Sequence, residues 1–320
     1  MKQLFCIIFF VLTFFATAQD IHFSQVNITK SILNPSLAGY QDNDFQLQFQ
    51  RRSQWASVSI PFVTSSIAFD AKEIIPTHSV GLHFLNDVAG DSHFSTSGLN
   101  FSYSKKWHIG GKGNNISFGG LMGAFQRKID FSALIFEDNT ETLINQSFMF
   151  LDFGIGTVYE YNIDKRTTLL SGVSVYHFNR PKQSLMGNND VFLHEKYNAH
   201  ATIIYLITPK FQLKPTVYYN QQLKDHEFLL GSGFNYLLSD ISPQTIVLRS
   251  VIYNRWNDAF IVAFGIKINH FESMVSYDIN TSSLANASNN QGGVEFSIVY
   301  QWDMITKEKE IQTKQCPKYL

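Results

Sequence analysis

The chain carries ten histidines and two cysteines, the residue types that most often ligate metals or serve as bases and nucleophiles. His78, His83, His93 and His108 form the densest group. Their spacing is not that of a helical zinc site, and no cysteine lies near them. They read as turn or lumen residues. Two glycine-rich spots, Gly110-Gly111-Lys112-Gly113 and Gly154-Ile155-Gly156, do not fall between a strand and a helix, so neither reads as a phosphate cradle. The first is a turn, and the second lets neighbouring groups approach a strand. Asn198, His200 and Thr202 alternate along one face, as the polar residues of a membrane-embedded hydrolase would. No nucleophilic serine accompanies them, and there is no Gly-x-Ser-x-Gly elbow. The expectation is a protein that is not an enzyme and uses no cofactor or metal.

The cysteines point to export. Lys2, the apolar run Leu4 to Phe15 and Ala16-Thr17-Ala18 have the layout of a signal peptide over residues 1–18, with Gln19 as the mature start. Cys6 leaves with it. That leaves Cys316, a lone thiol unable to form an internal disulfide. No later stretch reaches the roughly eighteen apolar residues of a membrane helix. Net charge is −1, which argues against nucleic acid. Aromatics reach 15%, with 29 Phe and 14 Tyr, while charged residues stay at 16%. An exported chain rich in aromatics and poor in charge fits a barrel with a lipid-facing exterior and a polar interior.

The elements that must carry such a surface are strands. Phe45, Leu47 and Phe49 alternate with Gln46, Gln48 and Gln50; Val294, Phe296, Ile298, Tyr300 and Trp302 alternate with Glu295, Ser297, Val299 and Gln301. A strand sends these sets to opposite faces, so Phe69, Phe101, Phe296 and Ile298 are expected to face lipid. The pattern predicts strands near 44–52, 63–72, 78–86, 94–104, 115–128, 147–161, 167–178, 197–208, 211–220, 226–236, 245–253, 258–268, 271–279 and 292–302. The fold class is all-β, a transmembrane antiparallel β-barrel of the outer membrane with about fourteen strands. Residues 1–18 are the signal peptide, 19–43 a structured N-terminal lead-in, 44–302 the barrel and 303–320 a periplasmic C-terminal tail.

Short links (Pro209-Lys210, Asn269-His270) alternate with long ones (Ile129 to Gln146, Asn179 to Lys196, Asn280 to Gln291), as periplasmic turns alternate with outer loops. Both termini are then expected in the periplasm. Three features fit less well. The link Lys105 to Asn114 is long for its side, Pro215 removes a ladder donor inside a strand, and Gly119, Gly120 and Gly123 suggest a bend. Asn34-Pro35 with Gly39 reads as a turn that leads into the first strand.

Several stretches, in order, resemble the PorP/SprF family of outer-membrane proteins of the Bacteroidetes type IX secretion system. They are Gln19-Asp20-Ile21-His22-Phe23-Ser24-Gln25, Leu33-Asn34-Pro35-Ser36-Leu37-Ala38-Gly39, Arg51-Arg52-Ser53-Gln54-Trp55, Leu151-Asp152-Phe153-Gly154-Ile155-Gly156, and Ser276-Tyr277-Asp278-Ile279 with Gly293-Val294-Glu295-Phe296-Ser297. The resemblance implies a non-enzymatic barrel. Such a barrel works with type IX secretion components to export or anchor a large secreted surface protein of the gliding-adhesin type. The alternative is an outer-membrane pore or a small hydrophobic-ligand channel. Apolar residues on the outer loops are the expected partner contacts: Trp55, Phe62, Leu134, Ile135, Phe136 and Trp256. Cys316 is a candidate contact on the tail.

Overall fold

The computed structural model describes residues 20–56, 60–90, 93–110, 113–130, 146–184, 191–241, 244–283 and 285–304. Fourteen strands follow one another: β1 (Phe45–Gln54), β2 (Phe62–Ile75), β3 (His78–Ala89), β4 (Phe94–Ile109), β5 (Asn114–Ile129), β6 (Gln146–Asn162) and β7 (Thr167–Tyr176), then β8 (Lys196–Thr208), β9 (Phe211–Gln222), β10 (Asp225–Ile241), β11 (Gln244–Arg255), β12 (Ala259–Ile268), β13 (Phe271–Asn280) and β14 (Gln291–Trp302). Each pairs antiparallel with its neighbours. The ring closes where β1 meets β14, from Phe45 opposite Trp302 to Gln54 opposite Gly293. Closure removes every sheet edge, which a lipid environment requires.

The alternation in sequence becomes inside and outside. Gln46, Gln48, Gln50 and Arg52 of β1 point inward and are buried. Leu47, Ile67, Phe101, Val275 and Phe296 point outward and are exposed, and Phe69 and Ile298 share that face. One mouth carries the long links, the other the short turns. At the short-turn mouth, Phe45, Phe69, Tyr300 and Trp302 form an outward aromatic cluster, with Phe45 and Trp302 centroids 5.5 Å apart. Aromatic rings at this depth suit the membrane–water interface.

The three awkward features resolve individually. The link after β4 is short after all, because the strand continues through Lys105, Lys106, Trp107 and His108 to Ile109. Pro215 stays within β9, facing Ser232 of β10. On the β8 side the ladder pairs Thr202 with Thr216 and resumes at Tyr205 with Leu213, passing over the positions opposite Pro215 and Lys214. Gly119 and Gly123 do not bend β5. They are spaces for side chains and backbone inside the barrel, described below.

The N-terminal segment is more than a lead-in to β1. Phe45 and Trp302 sit side by side at the short-turn mouth, as an even strand count demands. Ahead of β1, however, the chain runs the length of the lumen and places Asp20 at the opposite mouth, against His177 and Lys196.

Candidate functional site: an occupied lumen

Residues 20–41 form an irregular thread containing a one-turn helix, Lys30–Leu33, and a 3-10 turn, Pro35–Leu37. Such a thread leaves most backbone groups without partners of its own, and the barrel wall supplies them. Near the long-link mouth the Glu295 carboxylate accepts the backbone N–H groups of Ser24 at 2.7 Å and Gln25 at 3.0 Å. Ser24 Oγ donates to Asp278 at 2.6 Å and accepts from Arg255 at 3.0 Å. Arg52 pairs with Asp278 at 2.8 Å and donates to the His22 carbonyl. Gln25 Nε2 donates to Ser276, while Ser297 donates to Gln25 Oε1. Arg52, Asp278 and Glu295 are all buried. Each faces an opposite charge or several hydrogen-bond donors there, as a buried ionisable side chain requires.

The first described residue is gripped as well. Asp20 Oδ2 lies 2.9 Å from Lys196 Nζ and 3.4 Å from His177 Nε2, and His177 Nδ1 lies 2.8 Å from Asp152. His177 follows β7 in left-handed backbone, φ 57°, a costly conformation outside glycine. Burial alone would raise the Asp20 carboxyl. The charge of Lys196, with the hydrogen bond and charge of His177, outweighs burial and holds Asp20 well below the usual carboxylate range. Burial alone would depress the His177 imidazolium, but hydrogen bonds to Asp152 and Asp20, with their charges, push it up to about 9. The linkage has a definite sign. The His177 contribution is complete below its ordinary 6.5 and is lost as pH rises through about 9. The Asp20 contribution is present above its ordinary 3.8 and is lost as pH falls below that. An environment-sensitive probe on Ile21→Cys, in a Cys316→Ser background, should report loosening of this end as pH passes 9. His177→Gln should abolish that alkaline step while leaving the acid one. An alkaline step that persists in His177→Gln would refute the assignment.

At mid-lumen the contact is steric. Asn34 is fully buried, and its Nδ2 donates to the carbonyls of Thr157 at 3.1 Å and Val173 at 3.0 Å. Its Oδ1 accepts from Ser36 N and Oγ, which closes the turn that Pro35 begins. A Cβ on Gly119 would lie 2.4 Å from Ser36 backbone, and one on Gly156 2.1 Å from Asn34 Oδ1. These two glycines clear the space that the Asn-Pro turn fills. Gly39, at φ 72°, makes the exit turn, and a Cβ there would strike Ser79 at 2.4 Å. Asn198 donates to the Leu33 carbonyl, and His200 Nε2 lies 3.5 Å from Asn34 Nδ2. The polar triplet on β8 therefore faces the lumen, and two of its members hold the thread.

Apolar burial adds to this. Leu33 and Leu37 pack with Val158, Leu229, Tyr253 and Ile261, and Phe23 packs with Leu85 and Phe125. Each fully buried Leu or Phe contributes about 1.5–3 kcal/mol, offset in part by the entropy of ordering the segment.

The stretches that looked scattered in the sequence thus meet around one thread. The family profile described as "Type IX secretion system membrane protein PorP/SprF" matches residues 15–300. The chain belongs to the PorP/SprF family. Its place in that family makes it an outer-membrane barrel of the type IX secretion system. A search of curated proteins returns no match. Among solved structures, this PorP/SprF barrel is similar to the P. putida toluene transporter TodX, with TM-score 0.51 and 7% identity, covering 85% of this chain and 93% of that one. It is also similar to the CymD monoaromatic hydrocarbon channel, with TM-score 0.50 and 9% identity over 88% and 94%. The toluene transporter TbuX of Ralstonia pickettii gives 0.50 and 9% over 86% and 93%. At such identities the likeness is one of fold.

The expected partner contacts divide. Trp55, just after β1, and Phe62, the first residue of β2, lie together, centroids 4.8 Å apart. Trp256, on the link between β11 and β12, is 66% exposed. Leu134, Ile135, Phe136 and Cys316 lie outside the described residues, as do residues 1–18, expected to be a signal peptide, and the residues after Met304, expected to be a tail. Asn34 and Pro35 lie in the 3-10 turn and Gly39 at its exit, packed against the wall of the lumen. Sequence reasoning missed Glu295, Asp278, Arg52 and Gly119 as holders of the thread. A signal for an occupied lumen was present: the inward positions Ala259, Ile261 and Ala263 of β12, and Leu229 of β10, are apolar and buried, which a water-filled lumen would not favour.

Proposed function

We propose that this PorP/SprF barrel is a non-enzymatic docking protein. It presents its long-link mouth to the cell exterior and assists export or surface anchoring of a secreted partner of the gliding-adhesin type. The observation that carries this reading is the occupied lumen. Two cavities beside the thread measure only about 70 and 30 Å³, which does not suit a passive pore. A barrel that fills its own channel is left with its loops as the working surface. That mouth exposes apolar side chains at Trp55, Val191, Phe192 and Trp256, and exposed aromatics commonly anchor interfaces. Type IX secretion components are the partners on the periplasmic side, the side to which this reading assigns the short-turn mouth.

The test is on the loops. Leu134, Ile135 and Phe136 changed together to serine, with or without Trp256→Ser, should reduce surface display of the secreted partner by about tenfold or more, the scale of losing interface anchors. Barrel assembly, followed by heat-modifiable migration, should not change. Normal display from the quadruple variant would overturn the docking reading.

A further inference from the structure

Beside the turn from β2 to β3, the outer wall of the barrel carries two basic side chains. His78, the first residue of β3, heads the outward row that continues through Val80, Leu82 and Phe84. Lys105 stands in the outward row of β4, between Tyr103 and Trp107. The ladder sets His78 directly opposite Lys105. Basic groups placed opposite each other in a sheet repel whenever both are protonated, so the arrangement calls for an anion between them.

No carboxylate of the chain supplies it. Glu73, the acidic residue of the adjoining turn, pairs at 3.3 Å with Lys106, which lies one position on and therefore on the opposite face of β4. Among the described residues Lys105 makes no ion pair; its ammonium lies over the Trp107 ring, 4.9 Å from the centroid. Trp107 is braced edge-on by Phe118, centroids 5.4 Å apart. The Tyr103 hydroxyl hydrogen-bonds His78 Nδ1. With that hydroxyl donating, the ring proton resides on Nε2 and is left to donate.

The position suits a lipid headgroup. The pair lies at the short-turn mouth, the same mouth that carries the outward cluster of Phe45, Phe69, Tyr300 and Trp302, and aromatic belts mark the depth of headgroups. Toward mid-membrane the two outward rows continue as Leu82, Phe84, Leu99 and Phe101, each 44–47% exposed. They form an apolar track on which acyl chains lie once the phosphate is held at its end.

We propose that His78 and Lys105 bind the phosphate of one anionic phospholipid, with Lys105 Nζ and His78 Nε2 each donating to a phosphate oxygen. Tyr103 and Trp107 flank the headgroup. No carboxylate on this face is available to receive an ammonium group, so phosphatidylglycerol is favoured over phosphatidylethanolamine. The phosphates of lipid A offer the same oxygens. The assignment to a phospholipid of the inner leaflet rests on the reading that the short-turn mouth faces the periplasm; the phosphate site itself does not.

Native mass spectrometry of the assembled protein, released from detergent with dioleoyl phosphatidylglycerol, dioleoyl phosphatidylethanolamine or lipid A added, tests this. One phosphatidylglycerol should be retained, about tenfold more than phosphatidylethanolamine. Lys105→Gln and His78→Gln should each lower its retention about tenfold, the scale of one charge-assisted hydrogen bond. Lys106→Gln should not, and lipid A retention should be the same in all variants. Equal retention of the two phospholipids, or retention undiminished in Lys105→Gln and His78→Gln, would reduce the pair to side chains reaching for water and would overturn the site, leaving the loop reading untouched. Lipid A retention that falls in those variants as far as that of phosphatidylglycerol, or further, would overturn the phospholipid assignment and with it the orientation of the barrel. Assembly is checked by heat-modifiable migration. If a variant fails to assemble, the comparison of the two phospholipids on the unaltered protein decides the question.

Discussion

Deleting residues 20–40 should convert a barrel that passes little current into an open pore, with conductance in planar bilayers rising by about tenfold or more, since a barrel of this size encloses a channel when nothing fills it. The wall does not depend on the thread for closure. β1 and β14 share ten paired positions, and every other strand has its own two ladders. Deletion admits water to Arg52, Asp278 and Glu295, polar side chains that water solvates readily. It also wets Leu229 and Ile261, both fully buried in the intact protein, so the shortened barrel should also be less stable. A milder variant separates the two effects. Glu295→Ala removes the acceptor for two backbone N–H groups and should give intermittent rather than steady openings. Steady conductance from the intact protein, or a deleted barrel that assembles and stays shut, would disprove the account of the lumen.

A methyl group in the right place should unseat the thread almost as well. In Gly119→Ala the new Cβ falls 2.4 Å from the backbone of Ser36. Backbone in a proline turn cannot rotate aside as a side chain could, so the turn or the strand must move. Overpacking of this kind costs about 1–3 kcal/mol, or roughly five- to 150-fold in the seated population. The neighbouring residue is the control. A Cβ on Gly120 approaches nothing closer than the Gly154 carbonyl at 4.0 Å, so Gly120→Ala should be neutral. Protease access to residues 20–40 in assembled protein is the measurement. Equal protection in the two variants would show that the turn does not occupy the space inferred for it.

The strands were legible because lipid enforces a rule that each strand displays locally. Phe296, Ile298 and Tyr300 against Glu295 and Ser297 can be read without knowing any neighbour. Ends were harder. Lys105-Lys106-Trp107-His108 resembles a turn by composition, yet the ladder to β5 continues through it, because strands that project past the hydrocarbon can carry charge. The thread was legible only as a turn. Asn34 and Pro35 announce a change of direction, but the partners that define their place, Gly119, Gly156 and Val173, lie on three strands far along the chain. Glu295 showed itself as a polar residue on an inward face; that its two oxygens cap the backbone at Ser24 and Gln25 follows from closure, which no local window contains. The apolar inward residues of β12 were the missed clue, since a polar lumen gives no reason for Ile261.

The grip of Glu295 on Ser24 spans 271 positions of the chain, and its consequence is one of timing. The segment that emerges first is held by the strand that emerges last. Until β14 zips to β1 there is no carboxylate at the mouth and no enclosed channel to enter, so the thread cannot take its final seat before the ring closes. Contacts so distant in sequence form slowly. Seating of the thread therefore reports that the ring is complete, and a chain cut short before β14 would have nowhere to put its own beginning.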